Sequence, residues 1–266
     1  MPSSPTAVSP ILEGLRQAVH EMTSDVERVT LAFSGGLDSS VVAFLASERV
    51  EIEALTVGYP KSQDLANARE AARLLGLNWA AVQLDDDTLI RSGASLLEAF
   101  PDLDAIALSF EIPLWTLLPH APTGPVLAGQ GADELFGGYA RYAGLNEPDL
   151  QEALEHDLGV LLRETIPREK AMARHHGREL RLPFCDPLVV SQARALPADQ
   201  RARPRRKELL RRVATELGLP ETIVERPKKA AQYGSGVMPA LRRLAGAEDR
   251  PILEFLRIER RSTPGP

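Results

Sequence analysis

The sequence predicts an α/β fold, in which a parallel sheet with helices on both faces precedes a C-terminal helical region. Four short apolar runs alternate with stretches of helical spacing over the first half of the chain. Two of these runs end in Gly-rich loops, and the strand pattern fades after about residue 146. Strands that alternate with helices favour parallel pairing through right-handed crossovers.

Each element follows from its local pattern. A short apolar run that ends at a turn is typical of a buried parallel strand, and apolar residues three or four apart are typical of a helix. Gly76 favours the end of the third helix, and Pro113 predicts a kink or a break in the fourth. The predicted strands are 29–33, 52–58, 79–84 and 126–129, and the predicted helices are 11–22, 39–49, 65–75 and 104–118.

These elements suggest four regions along the chain. Residues 1–27 form an N-terminal helical segment, and residues 28–146 form the α/β core. Residues 147–260 form a helical region that completes the site, and residues 261–266 are expected to be a flexible tail.

Composition sets limits on the class of protein. The 266 residues carry a net charge of −6 and are 44% hydrophobic, which suits a packed core and gives no general attraction to nucleic acid. No apolar run is long enough to span a membrane, and the N-terminus does not resemble a secretory signal. Cys185 is the only cysteine, which excludes an internal disulfide. We therefore expect a cytoplasmic protein.

One segment departs from this acidity. Residues 201–212, RARPRRKELLRR, form a dense basic run. Charge runs are common on helix surfaces, so we interpret it as a solvated helix face or a phosphate-facing patch inside an enzyme. A tRNA-binding surface is the alternative.

The first Gly-rich loop, SGGLDSS at residues 34–40, lies between a predicted strand and a predicted helix. Gly35 and Gly36 allow a sharp turn and close approach to an anion, and the following helix offers free N–H groups. Three hydroxyls add donors: Ser34, Ser39 and Ser40. Asp38 would repel bare phosphate, but it suits a site in which Mg²⁺ lies between carboxylate and pyrophosphate. The loop matches neither Walker A nor G-x-G-x-x-G. The alternative is a turn in which Asp38 caps the helix.

The second Gly-rich loop, GQGADELFGGY at residues 129–139, also follows a buried strand. Ligands of open α/β sheets bind outside the carboxyl ends of the strands, so both loops are expected to face one pocket. Asp38 and Asp133 would then share a metal ion. A Gly-rich turn with a capped helix is the alternative.

These two motifs resemble the synthetase domain of asparagine synthetases, including the related β-lactam synthetases. Four further segments resemble the family in the same order along the chain: residues 55–76, 170–187, 207–212 and 219–236. The resemblance implies a PP-loop ATP pyrophosphatase fold of the adenine nucleotide alpha hydrolase-like type. It also implies that a carboxylate attacks the α-phosphorus of ATP, and that ammonia or an amine then displaces AMP to form an amide. The expected substrate is aspartate.

The resemblance also assigns expected roles to residues. Asp38 and Asp133 would hold Mg²⁺, while Lys207 and Lys228 would neutralise phosphate charge. For Lys228 the alternative is an exposed surface lysine. The expected ATP contacts are Leu31, Ser34, Gly35, Gly36, Asp38, Ser39, Ser40, Val57, Ala128 and Gly129.

The chain departs from the family pattern on the acceptor side. Gln130 occupies a position that is often acidic, and glutamine cannot act as a base at neutral pH. The family's usual arginine is replaced near Ser109, beside Glu111. The residues expected on the substrate side are Gln130, Glu134, Glu111 and Tyr139. Adenylation is therefore the firmer expectation, and specificity for aspartate the weaker one.

The start of the chain differs as well. Asparagine synthetases begin with a glutaminase domain whose nucleophile is a cysteine after the initiator methionine, whereas Pro2 follows Met1 here. We therefore expect nitrogen from free ammonia, another amine or a separate glutaminase subunit. Homo-oligomerisation is left open.

Several other side chains receive structural interpretations. Cys185 is expected to be a small buried hydrophobic residue. Glu179 and Asp186 are interpreted as members of an ion pair with Arg181. His175 and His176 lack metal-ligand spacing and receive no role.

Two alternatives to an amide ligase remain at this stage. A tRNA-modifying enzyme of the same loop class is suggested by the basic run at 201–212, although a thiolation enzyme would need paired cysteines. An ATP-binding subunit without acceptor chemistry is suggested by Gln130.

Overall fold

The computed structural model describes residues 8–122, 124–227 and 231–262. Its centre is a five-stranded sheet in the order β3-β2-β1-β4-β5, with all neighbouring strands parallel. The strands are β1 (Arg28–Ala32), β2 (Glu51–Gly58), β3 (Asn78–Gln83), β4 (Pro125–Leu127) and β5 (Glu179–Arg181). The predicted parallel α/β architecture is confirmed.

The middle strand, β1, is paired along both edges. Leu31 lies opposite Ala54 of β2 on one side and opposite Leu127 of β4 on the other. All three side chains are fully buried, as expected for a central strand covered on both faces. The loops after β1 and β4 therefore begin side by side.

The described part of the first half forms six α-helices. They are α1 (Val8–Met22), α2 (Leu37–Ser47), α3 (Gln63–Leu75), α4 (Asp86–Ala99), α5 (Ala105–Leu117) and α6 (Ala132–Phe136). Right-handed crossovers place α2 and α3 on one face, because they lead outward from β1 to β3. The return from β3 to β4 places α4 and α5 on the other face. The sheet is therefore covered on both sides, as predicted.

Two residues that were predicted to end or break a helix behave differently from one another. Gly76 adopts a left-handed conformation and its N–H bonds to the Ala72 carbonyl, which ends α3 as expected. Pro113, in contrast, does not break α5, which runs from Ala105 to Leu117. Tertiary packing outweighs the lost backbone bond there, since both Ile112 and Leu114 are buried.

The second half is mainly helical but also completes the sheet. Its helices are α7 (Glu147–Val160), α8 (Ile166–His175), α9 (Pro187–Arg194), α10 (Ala198–Ala202), α11 (Glu208–Glu216), α12 (Glu221–Val224), α13 (Ala231–Gly234), α14 (Val237–Ala247) and α15 (Ile252–Ser262). A π-helical turn, Leu161–Thr165, joins α7 to α8. Residues 147–260, predicted as a helical region, thus also contain β5. The last helix extends two residues into the segment predicted as a tail.

One apolar core joins the two halves. Buried residues of α1 and the sheet, such as Val19 and Leu31, belong to the same cluster as Val189 of α9 and Val213 of α11. A smaller cluster lies around Tyr142. The helical region therefore packs directly on the α/β core. None of the helices in the described ranges is long and apolar enough to cross a membrane.

Helix α5 offers a direct test of this core. Leu108 is fully buried, whereas Ile106 on the same helix is 61% exposed. Leu108→Ala should lower the free energy of unfolding by about 2–5 kcal/mol, because it removes buried methyl groups and leaves a cavity. Ile106→Ala should change it by about 0.5 kcal/mol or less. Urea denaturation followed by circular dichroism measures both, and equal effects would contradict the packing of α5.

Candidate active site

Two loops meet at the carboxyl ends of β1 and β4. The first connects β1 to α2, and the second connects β4 to α6. A Cβ atom on Gly129 would lie 3.1 Å from the Asp38 Cβ, so the loops are in direct contact. This is the edge of the sheet at which open α/β proteins bind ligands.

The first loop leaves the beginning of α2 open. Gly36 is the N-cap residue and supplies no side-chain hydrogen bond to the helix. Gly35 has φ 67°, and a Cβ there would meet the Asn67 carbonyl at 2.5 Å, so only glycine fits. The hydroxyls of Ser34 and Ser39 lie 3.2 Å apart at the same end. The free N–H groups and hydroxyls form a suitable cradle for an anion.

Asp38 does not cap α2 but joins an ionic cluster. The Lys207 Nζ donates to both carboxylate oxygens of Asp38 at 2.6 Å and lies 2.6 Å from the Asp133 Oδ1. Two carboxylates and one ammonium thus converge on one point beside the α2 N-terminus. The structure therefore brings together three residues that the sequence predicted for the metal and phosphate site.

Lys207 is held tightly in this position. Its side chain is buried, and its N–H donates to the Phe136 carbonyl at 3.1 Å. Its backbone adopts φ 59°, a left-handed conformation that is uncommon for lysine and is often found at functional sites. Burial lowers the pKa of the Lys207 ammonium, and the Asp38 carboxylate opposes that effect. Gly138 leaves room for the pair, because a Cβ there would overlap the Asp133 Oδ1.

The other residues predicted to contact ATP lie around this cluster. Ser40 is buried, and its hydroxyl has no partner within the described ranges. Leu31, Val57 and Ala128 are buried in or next to β1, β2 and β4, so their side chains are covered by the sheet core. Lys228 lies outside the described residues.

The sequence did not identify Arg226 as a site residue. Its Nη1 donates to the Gly35 carbonyl and to the Asn67 carbonyl, and its Nη2 pairs with Glu70. Arg226 thereby ties the segment before α13 to the phosphate-binding loop. The only signal in the sequence was its position two residues before Lys228.

The second loop also contacts α8. Gln130 Nε2 donates to the Glu169 Oε1 at 3.3 Å, while the Cys185 Sγ donates to the Gln130 carbonyl at 3.4 Å. Burial and the neighbouring Glu111 carboxylate raise the pKa of Glu169 to about 8. Burial also raises the pKa of the Cys185 thiol; the residue packs against the core but is partly rather than fully buried, which differs from the prediction of a small buried residue. Glu169 was not predicted, because nothing in its local sequence distinguishes it.

Glu111 forms the next part of the acceptor side. Arg168 Nε and Nη2 donate to the Glu111 Oε1 at 2.9 and 2.8 Å. The Ser109 hydroxyl instead donates to the Ile106 carbonyl within α5. A guanidinium therefore lies beside α5 at Glu111, and α8 supplies it.

Glu134 and Tyr139 form a separate pair. The Tyr139 hydroxyl donates to the Glu134 Oε1, and burial raises the pKa of both groups. The Arg141 guanidinium lies over the Tyr139 ring at 4.3 Å. These contacts stabilise the end of the second loop and hold Glu134 close to Lys207, whose charge acts on it.

The basic run at 201–212 is engaged within the chain. Arg201 is fully buried and donates to Gln151, Arg205 pairs with Glu208 and Glu225, and Lys207 lies in the ionic cluster. This agrees with an internal role for the run. The predicted pair between Glu179 and Arg181 is present at 2.7 Å, whereas Asp186 caps α9.

Comparisons with known proteins agree with this geometry. The sequence profile of the family described as asparagine synthase matches residues 11–147 and 143–249. A Methanocaldococcus jannaschii protein named as a glutamine-hydrolysing asparagine synthetase is 31% identical over 93% of this chain and 53% of its own length. The carboxyethyl-arginine β-lactam synthase of Streptomyces clavuligerus is 29% identical over 92% of this chain and 48% of its own length. A glutamine-hydrolysing asparagine synthetase of Mesocricetus auratus is 26% identical over 82% of this chain and 41% of its own length.

The chain thus spans about half the length of the curated relatives that it matches. Its match to the family extends over both the α/β core and the helical region that supplies Lys207. The chain belongs to the asparagine synthase family.

Proposed function

We propose that this chain is an ATP-dependent ligase that adenylates a carboxylate, releases pyrophosphate and transfers ammonia or an amine to the acyl group. The observation that carries the proposal is the convergence of Asp38, Asp133 and Lys207 beside the open N-terminus of α2. Aspartate is the proposed carboxylate, and asparagine the product. The nitrogen reaches the site as free ammonia, as an amine or from a separate glutaminase.

The open N-terminus of α2 suits the pyrophosphate portion of ATP. Its free N–H groups and the hydroxyls of Ser34, Ser39 and Ser40 donate hydrogen bonds to phosphate oxygens without adding positive charge. Arg226 stabilises the loop by donating a hydrogen bond to the Gly35 carbonyl. This arrangement fixes the α-phosphorus relative to the attacking carboxylate, and positioning accounts for much of phosphoryl-transfer catalysis.

The carboxylates of Asp38 and Asp133 fit a magnesium ion. Their oxygens already converge on one cationic nitrogen, and carboxylate oxygens are the ligands that Mg²⁺ prefers. No cluster of three metal-binding side chains occurs in the part of the chain described above, so phosphate oxygens and water would complete the shell. The ion would neutralise phosphate charge and orient the leaving pyrophosphate. Lys207 would then be free to bind phosphate oxygens.

Of the two alternatives, the tRNA-modifying enzyme receives less support. The arginines of the 201–212 run that would attract RNA are largely paired with carboxylates or carbonyls of the same chain. The pyrophosphate-exchange experiment below distinguishes the proposed ligase from the second alternative, an ATP-binding subunit without acceptor chemistry.

Pyrophosphate exchange tests the adenylation step. Wild-type protein with ATP, Mg²⁺ and a panel of amino acids should incorporate labelled pyrophosphate into ATP when the correct carboxylate is present. Asp38→Asn should lower the exchange rate by about 100-fold or more, because it removes a preorganised charge from the phosphate site. Asp102→Asn, at an exposed turn, is the matched control. ATP binding without exchange for any carboxylate would favour the regulatory alternative.

Metal binding is tested by removing the lysine. Lys207→Met should destabilise the metal-free protein by about 1–3 kcal/mol, less than for a fully buried pair, because two partly buried carboxylates lose their shared cation. Adding Mg²⁺ should raise the melting temperature of Lys207→Met more than that of the wild type. The double variant Asp38→Asn with Lys207→Met should lose most of this extra response. Equal Mg²⁺ responses in all three proteins would argue against a metal site between Asp38 and Asp133.

A further inference from the structure

The acceptor side contains two adjacent charged residues that the proposed adenylation chemistry has not used. Arg168 and Glu169 lie in the first turn of α8, next to both α5 and the second Gly-rich loop. Arg168 and Glu111 are close enough for their charges to act on the Glu169 carboxylate. The three side chains therefore form one charged group beside Gln130.

Glu169 has an unsatisfied carboxylate oxygen. Its Oε1 accepts from Gln130, but its buried Oε2 has no hydrogen-bond partner among the described residues. The residue is only 6% exposed. A buried carboxylate oxygen without a partner is unfavourable for the protein alone, so such groups are usually explained by a ligand, a water or an ion. An ammonium ligand would donate to this oxygen and favour the ionised form of the carboxyl group, whose pKa burial and Glu111 raise to about 8 in the protein alone.

Arg168 carries the opposite charge to Glu169 and offers hydrogen-bond donors rather than acceptors. Two of its nitrogens bind the buried Glu111, which fixes the plane of the guanidinium. Its third nitrogen, Nη1, has no partner in the described part of the chain, and the side chain remains 25% exposed. A guanidinium held in place with free N–H groups is well suited to bind a carboxylate.

We propose that Arg168 and Glu169 recognise the zwitterionic head group of an α-amino acid, with the carboxylate on Arg168 and the ammonium on Glu169. The proposal rests on the function proposed above, since it places the reacting carboxylate of the same molecule towards the loop at Gly129. Ammonia alone would leave the donors of Arg168 unused. A carboxylate without an amino group would leave the Glu169 Oε2 unsatisfied.

This assignment gives the Glu111–Arg168 pair a positioning role. Glu111 does not contact the substrate, but it holds the guanidinium that does. Gln130 similarly fixes one oxygen of Glu169, while the other, which is buried, makes no hydrogen bond within the described residues. Specificity thus depends on α8, which delivers both charges, rather than on α5.

The test compares an amino acid with analogues that lack one of its charges. Pyrophosphate exchange would be measured with aspartate, with succinate, which lacks the amino group, and with isoasparagine, whose α-carboxylate is amidated. If the panel selects another amino acid, its own deamino and α-amide analogues replace these. The wild type should show a KM about 10–100-fold higher for each analogue, which corresponds to one lost charged hydrogen bond.

The variants should remove this discrimination selectively. Glu169→Gln should raise the KM for the amino acid about 10–100-fold and change the KM for the deamino analogue little. Arg168→Met should raise the KM for the amino acid about 10–100-fold and change the KM for the α-amide analogue little. The KM for ATP should stay unchanged in both variants, which shows that they fold. Glu164→Gln and Arg163→Met, at exposed positions just before α8, are the matched controls.

Two results would overturn the assignment. One is a wild-type enzyme that uses the deamino analogue as well as the amino acid. The other is a Glu169→Gln variant that loses both substrates equally. In each case adenylation itself would still be observed, so the proposed function would stand. Absence of exchange with every carboxylate would instead overturn the proposed function and this inference with it.

Discussion

The contact between the Lys207 ammonium and two carboxylates is the interaction on which the candidate site depends. It joins Asp38 and Asp133 to a residue 169 positions after Asp38 in the sequence. Two partly buried carboxylates that converge on one point repel one another unless a cation lies between them. Lys207 therefore ties the two Gly-rich loops together. In the proposed nucleotide complex, a metal ion would have to replace the charge of Lys207 before Lys207 could turn towards phosphate.

The α/β sheet alone does not complete the site. The loops after β1 and β4 supply the two carboxylates, but the ammonium that pairs with them and the guanidiniums that bind Gly35 and Glu111 come from residues after 147: Lys207, Arg226 and Arg168. The same helical region contributes β5 and much of the apolar core. Packing of the second half on the sheet therefore also brings these cations to the site. This explains why the family match extends over both halves.

Sequence patterns predicted the parts of the molecule whose determinants are local. The strands β1 to β4 follow from short apolar runs, and the two loops from their glycines and carboxylates. The strand β5 was missed because three residues, ELR, carry too little pattern, and its pairing with β4 depends on the rest of the fold. Arg226 and Glu169 were missed for a related reason: each acquires its role from a contact with a residue far away in the sequence.

The acceptor side shows how this limitation affects functional inference. The sequence resemblance leads one to expect an acidic side chain at position 130 and an arginine near position 109, where this chain has Gln130 and Ser109. In space, however, Glu169 lies against Gln130, and Arg168 lies against Glu111. Both charges are present, but on α8. A carboxylate and a guanidinium on α8 point in other directions than the same groups would from positions 130 and 109. The same charges can therefore serve the same reaction with a different preference for the acceptor, which makes α8 the element that decides substrate choice.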